Sequence, residues 1–283
     1  MDPGILMGLL KLLGLALLAT GFCLAVDGRY TTPVRRLATV GAAALVLGGI
    51  GEVAFTLAPI AERLEEPLIP LMMEYVRDTR AGRLAGAPII PALIACVVLR
   101  YTHRAHGPQP GGPGLTVVGV LLATVTLLMA SGGHAGKMLG GGAVAIQALH
   151  IAAGIAWIAL VLSLLPTNVR CGPLALRLQR VGNLALVLVI VIAVTGVLAA
   201  WLHGMRPEDL TSSRYGLLIL LKSGLLVLAL SAAAWNRFHG LRPQQVAAHG
   251  DRRLRAVVVR EAAAILAILA VAAVLARTMP PGA

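Results

Sequence analysis

Three histidines, His134, His150 and His203, stand inside or at the ends of long apolar runs, where an imidazole is costly unless it has a task. Met129, Met138 and Met205 lie within a few positions of two of them. Imidazole suits copper, zinc and iron, and thioether beside imidazole tilts the choice towards Cu(I). His134 and Met138 share the stretch 131–142, "SGGHAGKMLGGG". Its Gly136-Lys137 pair imitates a phosphate-binding loop. However, Ser131 stands where that pattern needs a glycine, and Met138 stands where it needs Ser or Thr. The stretch reads instead as a turn between two membrane segments, with His134 and Met138 placed to lean over the level of His150.

Lys11, Glu52 and Lys222 are the other polar residues embedded in apolar runs. At 1.5 Å per residue, His150 and these three fall at similar depths, roughly 10 Å inside their segments. Glu52 paired with a lysine would fix helix packing and nothing more. Four polar side chains converging on one level would be a site. His150 heads a stripe with Gln147 before it and Gly154 and Trp157 after it, all on one helix face. That face is expected to point inward, with Gly154 allowing a close helix approach. His203 follows Trp201 at the end of its own run. Asn236 and Glu261 are expected to cross-link the last two segments, a structural role. His103, His106, His239 and His249 fall in loops and read as solvated. No nucleophile–base–acid set and no nucleotide motif is visible, so an enzyme is not expected.

The elements that must carry these residues are membrane helices. The chain is 58% hydrophobic and 13% charged, with a mean hydropathy of +0.86. Soluble domains average about 25% charged residues. About 20 apolar residues cross the hydrocarbon core, and that window gives segments near 4–26, 34–58, 84–101, 114–131, 143–165, 179–203, 214–236 and 254–277. The expectation is an all-α polytopic bundle of about eight transmembrane helices forming a single domain over 1–283. The first segment lacks a basic leader and a cleavage site, so it reads as a helix of the mature protein. Residues 59–83 carry Leu68, Leu71, Met72, Tyr75 and Val76 at helical spacing, which predicts a helix lying on the outer surface. No internal repeat is evident in the sequence.

The net charge of +12 is a topology signal. Loops on one side carry Arg29, Arg35, Arg36, Arg100, Arg104, Arg170, Arg177, Arg180, Arg237, Arg242, Arg252, Arg253 and Arg255 against Asp27 and Asp251. On the other side, Arg63, Arg77, Arg80, Arg83, Lys137, Arg206, Arg214 and Arg277 are matched by Asp2, Glu62, Glu65, Glu66, Glu74, Asp78, Glu208 and Asp209. The basic side is therefore cytoplasmic and both termini are periplasmic, and no nucleic-acid partner is needed to explain the charge. Cys23, Cys96 and Cys171 fall towards the cytoplasmic side, whereas the methionines gather near outer ends, matching reducing and oxidising compartments.

The pieces "SGGHA", "ALHIAAGIAW", "TGVLAAWLHG", "RYGLLILLKSGLLVLALSAAAWNR" and "VVREAAAILAILAVAAVLARTMPP", in this order, resemble the copper resistance D (CopD-like) family of bacterial inner-membrane proteins. The resemblance covers 131–281. It implies a multi-pass protein of the bacterial cytoplasmic membrane that handles copper at the periplasmic face, with a small periplasmic CopC-like copper-binding partner. His134, His150, Trp157, Trp201, His203, Lys222, Asn236 and Glu261 stand on motif positions. The chain departs from the family after Trp157, where a glycine pair is replaced by Ile158-Ala159-Leu160. Copper import is thus the leading expectation, captured by His134, His150 and His203 with Met138, Met129 or Met205. A bis-histidine haem carrier and a copper sensor or assembly partner that does not transport remain open. Transport direction, oxidation state and oligomeric state are not legible in the residues.

Overall fold

The computed structural model describes the backbone of residues 2–28, 31–106, 112–132, 140–164, 174–235 and 243–279, and their side chains apart from 102–106, 140, 174–179, 233, 235 and 243–258. These residues form the helices α1 (Pro3–Val26), α2 (Thr32–Leu64), α3 (Leu68–Asp78), α4 (Arg80–Gly86), α5 (Ile89–His106), α6 (Pro113–Gly132), α7 (Gly140–Leu162), α8 (Leu174–Leu202), α9 (Asp209–Ser212), α10 (Arg214–Trp235) and α11 (Pro243–Leu275). The protein is an all-α polytopic bundle. Among the described residues, seven stretches are long and apolar enough to cross a membrane: α1, α2, α4 with α5 over Arg80–Tyr101, α6, and most of α7, α8 and α10. The eighth expected segment lies in α11, the first half of whose side chains falls outside the described set. Arg277 Nη1 lies 3.5 Å from Asp2 Oδ2, so the chain starts and ends on one face.

Local chemistry sets the helix ends. Asp2 caps α1 by accepting from Gly4 N at 2.8 Å, with Pro3 in the first turn, where its missing N–H costs nothing. Glu65, in the left-handed region at φ 57, stops α2. Thr79 Oγ1 donates to Tyr75 O at 2.8 Å and accepts from Gly82 N at 2.9 Å, turning the chain from α3 into α4. In α3, Leu68, Leu71, Met72 and Tyr75 are half-buried, whereas Glu74, Arg77 and Asp78 are exposed. It is an amphipathic helix running between α2 and α4 at the end of the bundle.

The closest helix contact joins α1 and α2. A Cβ on Gly14 would lie 2.6 Å from Gly41 O, one on Gly41 2.8 Å from Gly14 O, and one on Gly48 2.8 Å from Met7 O. Gly14 and Gly21 on α1, and Gly41 and Gly48 on α2, are seven residues apart. Each therefore returns to the seam after two turns and lets the backbones touch. Lipid is as apolar as Leu, so this dense packing holds the pair where a hydrophobic drive cannot. Around the seam, Leu15, Leu18, Leu45, Leu99, Val118 and Val125 are fully buried.

The sequence shows no repeat, but the packing does. α1 packs on α2 as α7 packs on α8, and α5 on α6 as α10 on α11. α6 contacts α7 as α11 contacts α1, and α1 meets α7 across the middle. The likeness stops at α2 and α5, which pack together, whereas α8 and α10 have no comparable contact among the described residues. The corners repeat too. Ser213 Oγ donates to Asp209 O at 2.7 Å and accepts from Gly216 N at 2.9 Å, as Thr79 does between Tyr75 and Gly82. The residues are Thr79-Arg80-Ala81-Gly82 and Ser213-Arg214-Tyr215-Gly216. In each, a Cβ on the glycine would lie within 2.2 Å of the carbonyl seven residues earlier.

Candidate metal centre

The embedded polar residues separate into two clusters. Lys11 Nζ donates to Glu52 Oε2, joining α1 to α2, with side chains 16% and 31% exposed. His150, on α7, meets Thr195 on α8 and Lys222 on α10. Lys11, Thr195 and Lys222 sit about two turns inside their helices and Glu52 and His150 about three, and each cluster ties together the first two spans of its half. The expected single level of four polar residues is thus two stations, one per half.

The hydrogen bonds at His150 set its tautomer. Thr195 Oγ1 carries one proton, and it donates to Val191 O at 2.5 Å, with Ile192 O at 3.3 Å. His150 Nδ1 lies 3.0 Å from Thr195 Oγ1. With its proton committed to the backbone, the hydroxyl can only accept, so Nδ1 carries the imidazole hydrogen. Nε2 is then the lone-pair nitrogen, and Lys222 Nζ donates to it at 3.3 Å. An imidazole anchored through one nitrogen, with the other presented as an acceptor, is how metal-binding histidines are held.

Room for the ring comes from Gly196. A Cβ there would lie 3.3 Å from His150 Cε1 and 3.7 Å from Nδ1. Gly154, expected to give the close approach, has nothing within 4 Å of its Cβ direction. The helix that comes close to the imidazole does so beside the ring, one residue after the threonine that orients it. Further along the stripe, Trp157 is buried and Gln147 is half-buried. After Trp157, Ile158 and Ala159 are buried as well, Ala159 completely, so α7 packs tightly here without the glycine pair.

His203 occupies a separate position. Its Nδ1 lies 2.6 Å from Ala199 O. A carbonyl only accepts, so here too Nδ1 bears the hydrogen and Nε2 the lone pair. His203 is eight residues beyond Thr195, about 12 Å along α8, which puts it nearer the membrane face than His150. Trp201, beside it, is 71% exposed and faces outward. Met205 is half-buried past the helix end, and Met129 on α6 packs partly against the core. Among the described residues no three of His, Cys, Asp and Glu converge. His134, Lys137, Met138, Cys171 and Asn236 lie outside the described residues, and Glu261 is half-buried on α11. Of the other cysteines, Cys96 is buried, its Sγ 4.0 Å from Ala38 O, and Cys23 is half-buried.

Sequence reasoning missed Thr195. The signal was present, because Thr195-Gly196 interrupts the apolar run of α8 with a hydroxyl followed by a missing side chain. Only the contact with α7 gives that dipeptide a meaning.

The fold and this cluster define a multi-pass helical membrane protein with a histidine held in mid-span. Residues 175–275 match the family model for copper resistance protein D. Over that stretch, in its C-terminal half, this multi-pass membrane protein is similar to copper resistance protein D. No curated protein and no solved structure matches it. The matched stretch contains Thr195, His203 and Lys222 but not His150, so the two residues that hold the imidazole come from the CopD-like part and the imidazole from the helix before it.

Proposed function

We propose that this protein carries copper across the bacterial cytoplasmic membrane, taking up Cu(I) at the periplasmic face and passing it inward. One observation carries the reading: in a CopD-like chain, a mid-span imidazole is anchored through Nδ1 and offers Nε2 as a ligand. His203 lies about 12 Å nearer the face in the same tautomer, so the two make successive stations. Met205, beside the outer histidine, offers a thioether. His134 and Met138, which precede α7 in the sequence, and Met129 complete the expected set. Imidazole and thioether are neutral ligands. They hold a soft cation without losing protons and release it without leaving a buried charge. A small periplasmic copper-binding protein of CopC type is the partner that would deliver the ion.

The reading places both termini in the periplasm, on the near-neutral face, with the arginine-rich loops in the cytoplasm. The test is copper content and copper uptake into proteoliposomes, comparing wild type with His150→Ala. The expected result is accumulation by the wild type and its loss in the variant. Binding without accumulation would replace transport with a sensing or assembly role, and a Soret band in the purified protein would replace copper with haem.

A further inference from the structure

His150 Nε2, the nitrogen that a metal would use, is already occupied. Lys222 Nζ is 3.3 Å from it, and the Nδ1–H tautomer imposed by Thr195 leaves Nε2 no other role than acceptor. A metal on the Nε2 lone pair and an ammonium donating to that lone pair are mutually exclusive. They compete for one electron pair, and as like charges they repel at a distance where little water screens them.

We propose that Lys222 is a tethered cation that plugs the copper station at His150 and must swing off Nε2 before the ion can bind. The ammonium moves intact, so the station exchanges one positive charge for another and never holds two. This rests on His150 being a copper ligand, as proposed above, and adds the residue that limits how tightly the ion is held.

Three features support a plug that moves. Lys222 is half-buried, and its helix neighbours Leu220, Leu221, Ser223 and Gly224 are exposed, with nothing within 4 Å of the Cβ direction of Gly224. The lysine stem therefore has space beside α10 into which it can turn, carrying its head towards the membrane face. Among the described residues the head meets one hydrogen-bonding group, His150 Nε2, and no carboxylate pins it. Lys11 differs on this point, because its ammonium is held by the Glu52 carboxylate. An ion pair is the stronger hold, so of the two intramembrane lysines Lys222 is the one a cation can dislodge.

A plug also serves a transporter. A high-affinity site in mid-membrane would trap Cu(I), and a competing cation on the same chain shortens its stay while keeping the imidazole from being an open site for other metals.

The test is Cu(I) affinity of the full chain in detergent, measured by competition with a chromophoric Cu(I) chelator, for wild type, Lys222→Met, Lys222→Arg, His150→Ala and the double variant His150→Ala/Lys222→Met. Lys222→Met is expected to bind at least about tenfold more tightly, from the loss of like-charge repulsion. Lys222→Arg keeps a cation and is expected to stay weak. The gain should vanish in the double variant. Misfolding cannot imitate a gain in affinity that depends on His150. If His150→Ala weakens binding but Lys222→Met binds no more tightly than wild type, the plug is wrong while the copper station stands. If His150→Ala binds as the wild type does, the station itself is wrong and the plug falls with it.

Discussion

At the scale of the residue, the chemistry turns on which nitrogen of His150 is committed. Thr195 makes that choice, because its single proton goes to Val191 O and its oxygen must then accept from Nδ1. Thr195→Val keeps the shape and removes the acceptor. Copper affinity is expected to fall about 10–100-fold, the usual effect of losing a group that orients a ligand, with Thr195→Ser restoring it in the same chelator competition. Gly196→Val inserts bulk where a Cβ alone would lie 3.3 Å from the ring. It is expected to weaken copper binding at least about tenfold, for the same loss of ring orientation. By contrast, Gly154→Ala, which meets nothing within 4 Å, should leave affinity and thermal stability as they are. The histidine was legible in the sequence as a polar residue out of place. Its partners were not, since nothing in spacing says that position 195 on one helix faces position 150 on another.

At the scale of the element, α1 and α2 form the tightest unit, and they do so through glycine at heptad spacing. Gly41→Leu would push a side chain into the backbone of Leu18 and Gly14. Over-packing of this kind costs about 1–3 kcal/mol or more, so the unfolding midpoint in detergent should drop by several degrees. The Lys11–Glu52 pair sits beside the last of these contacts, where Gly48 meets Met7 and Lys11. Removing one partner strands a charge inside the bundle, at about 3–5 kcal/mol, whereas removing both is far milder. Lys11→Met and Glu52→Gln should each lower the midpoint strongly, and the double variant should recover most of the loss. Pairing of Glu52 with a lysine was one of two readings open from the sequence. Nothing in spacing or composition favoured Lys11 over Lys222. The choice follows from the hairpin, since α1 and α2 are sequential and packed backbone to backbone, whereas α10 packs on α11 and reaches α7 through Lys222.

At the scale of the whole molecule, the contact between Asp2 and Arg277 closes the bundle on one face. Reporter fusions after Asp2 and after Met279 are expected to fall on the same side of the membrane, and by the arginine distribution that side is the periplasm. Opposite sides would mean an odd number of crossings and would remove α11 from the spans. Lys11–Glu52 joins α1 to α2 and His150–Thr195 joins α7 to α8, the first helix pair in each half. The first half carries an ion pair that locks its hairpin, and the second carries an imidazole that can exchange partners.

Composition, segment length and the one-sided arginines determined an all-helical, multi-pass membrane protein, because burial in lipid leaves few ways to satisfy a backbone. The same signals marked His150, Lys11, Glu52 and Lys222 as residues that apolar surroundings would not tolerate without a partner. Which partner each one has was decided only by the tertiary structure. Periodicity fixes the face a residue occupies on its own helix and is silent on the rotation and depth of the helix opposite. Those depend on packing, here on Gly14, Gly41 and Gly48 in one half and on Gly196 in the other, and so does the division of four polar residues into a lock and a station.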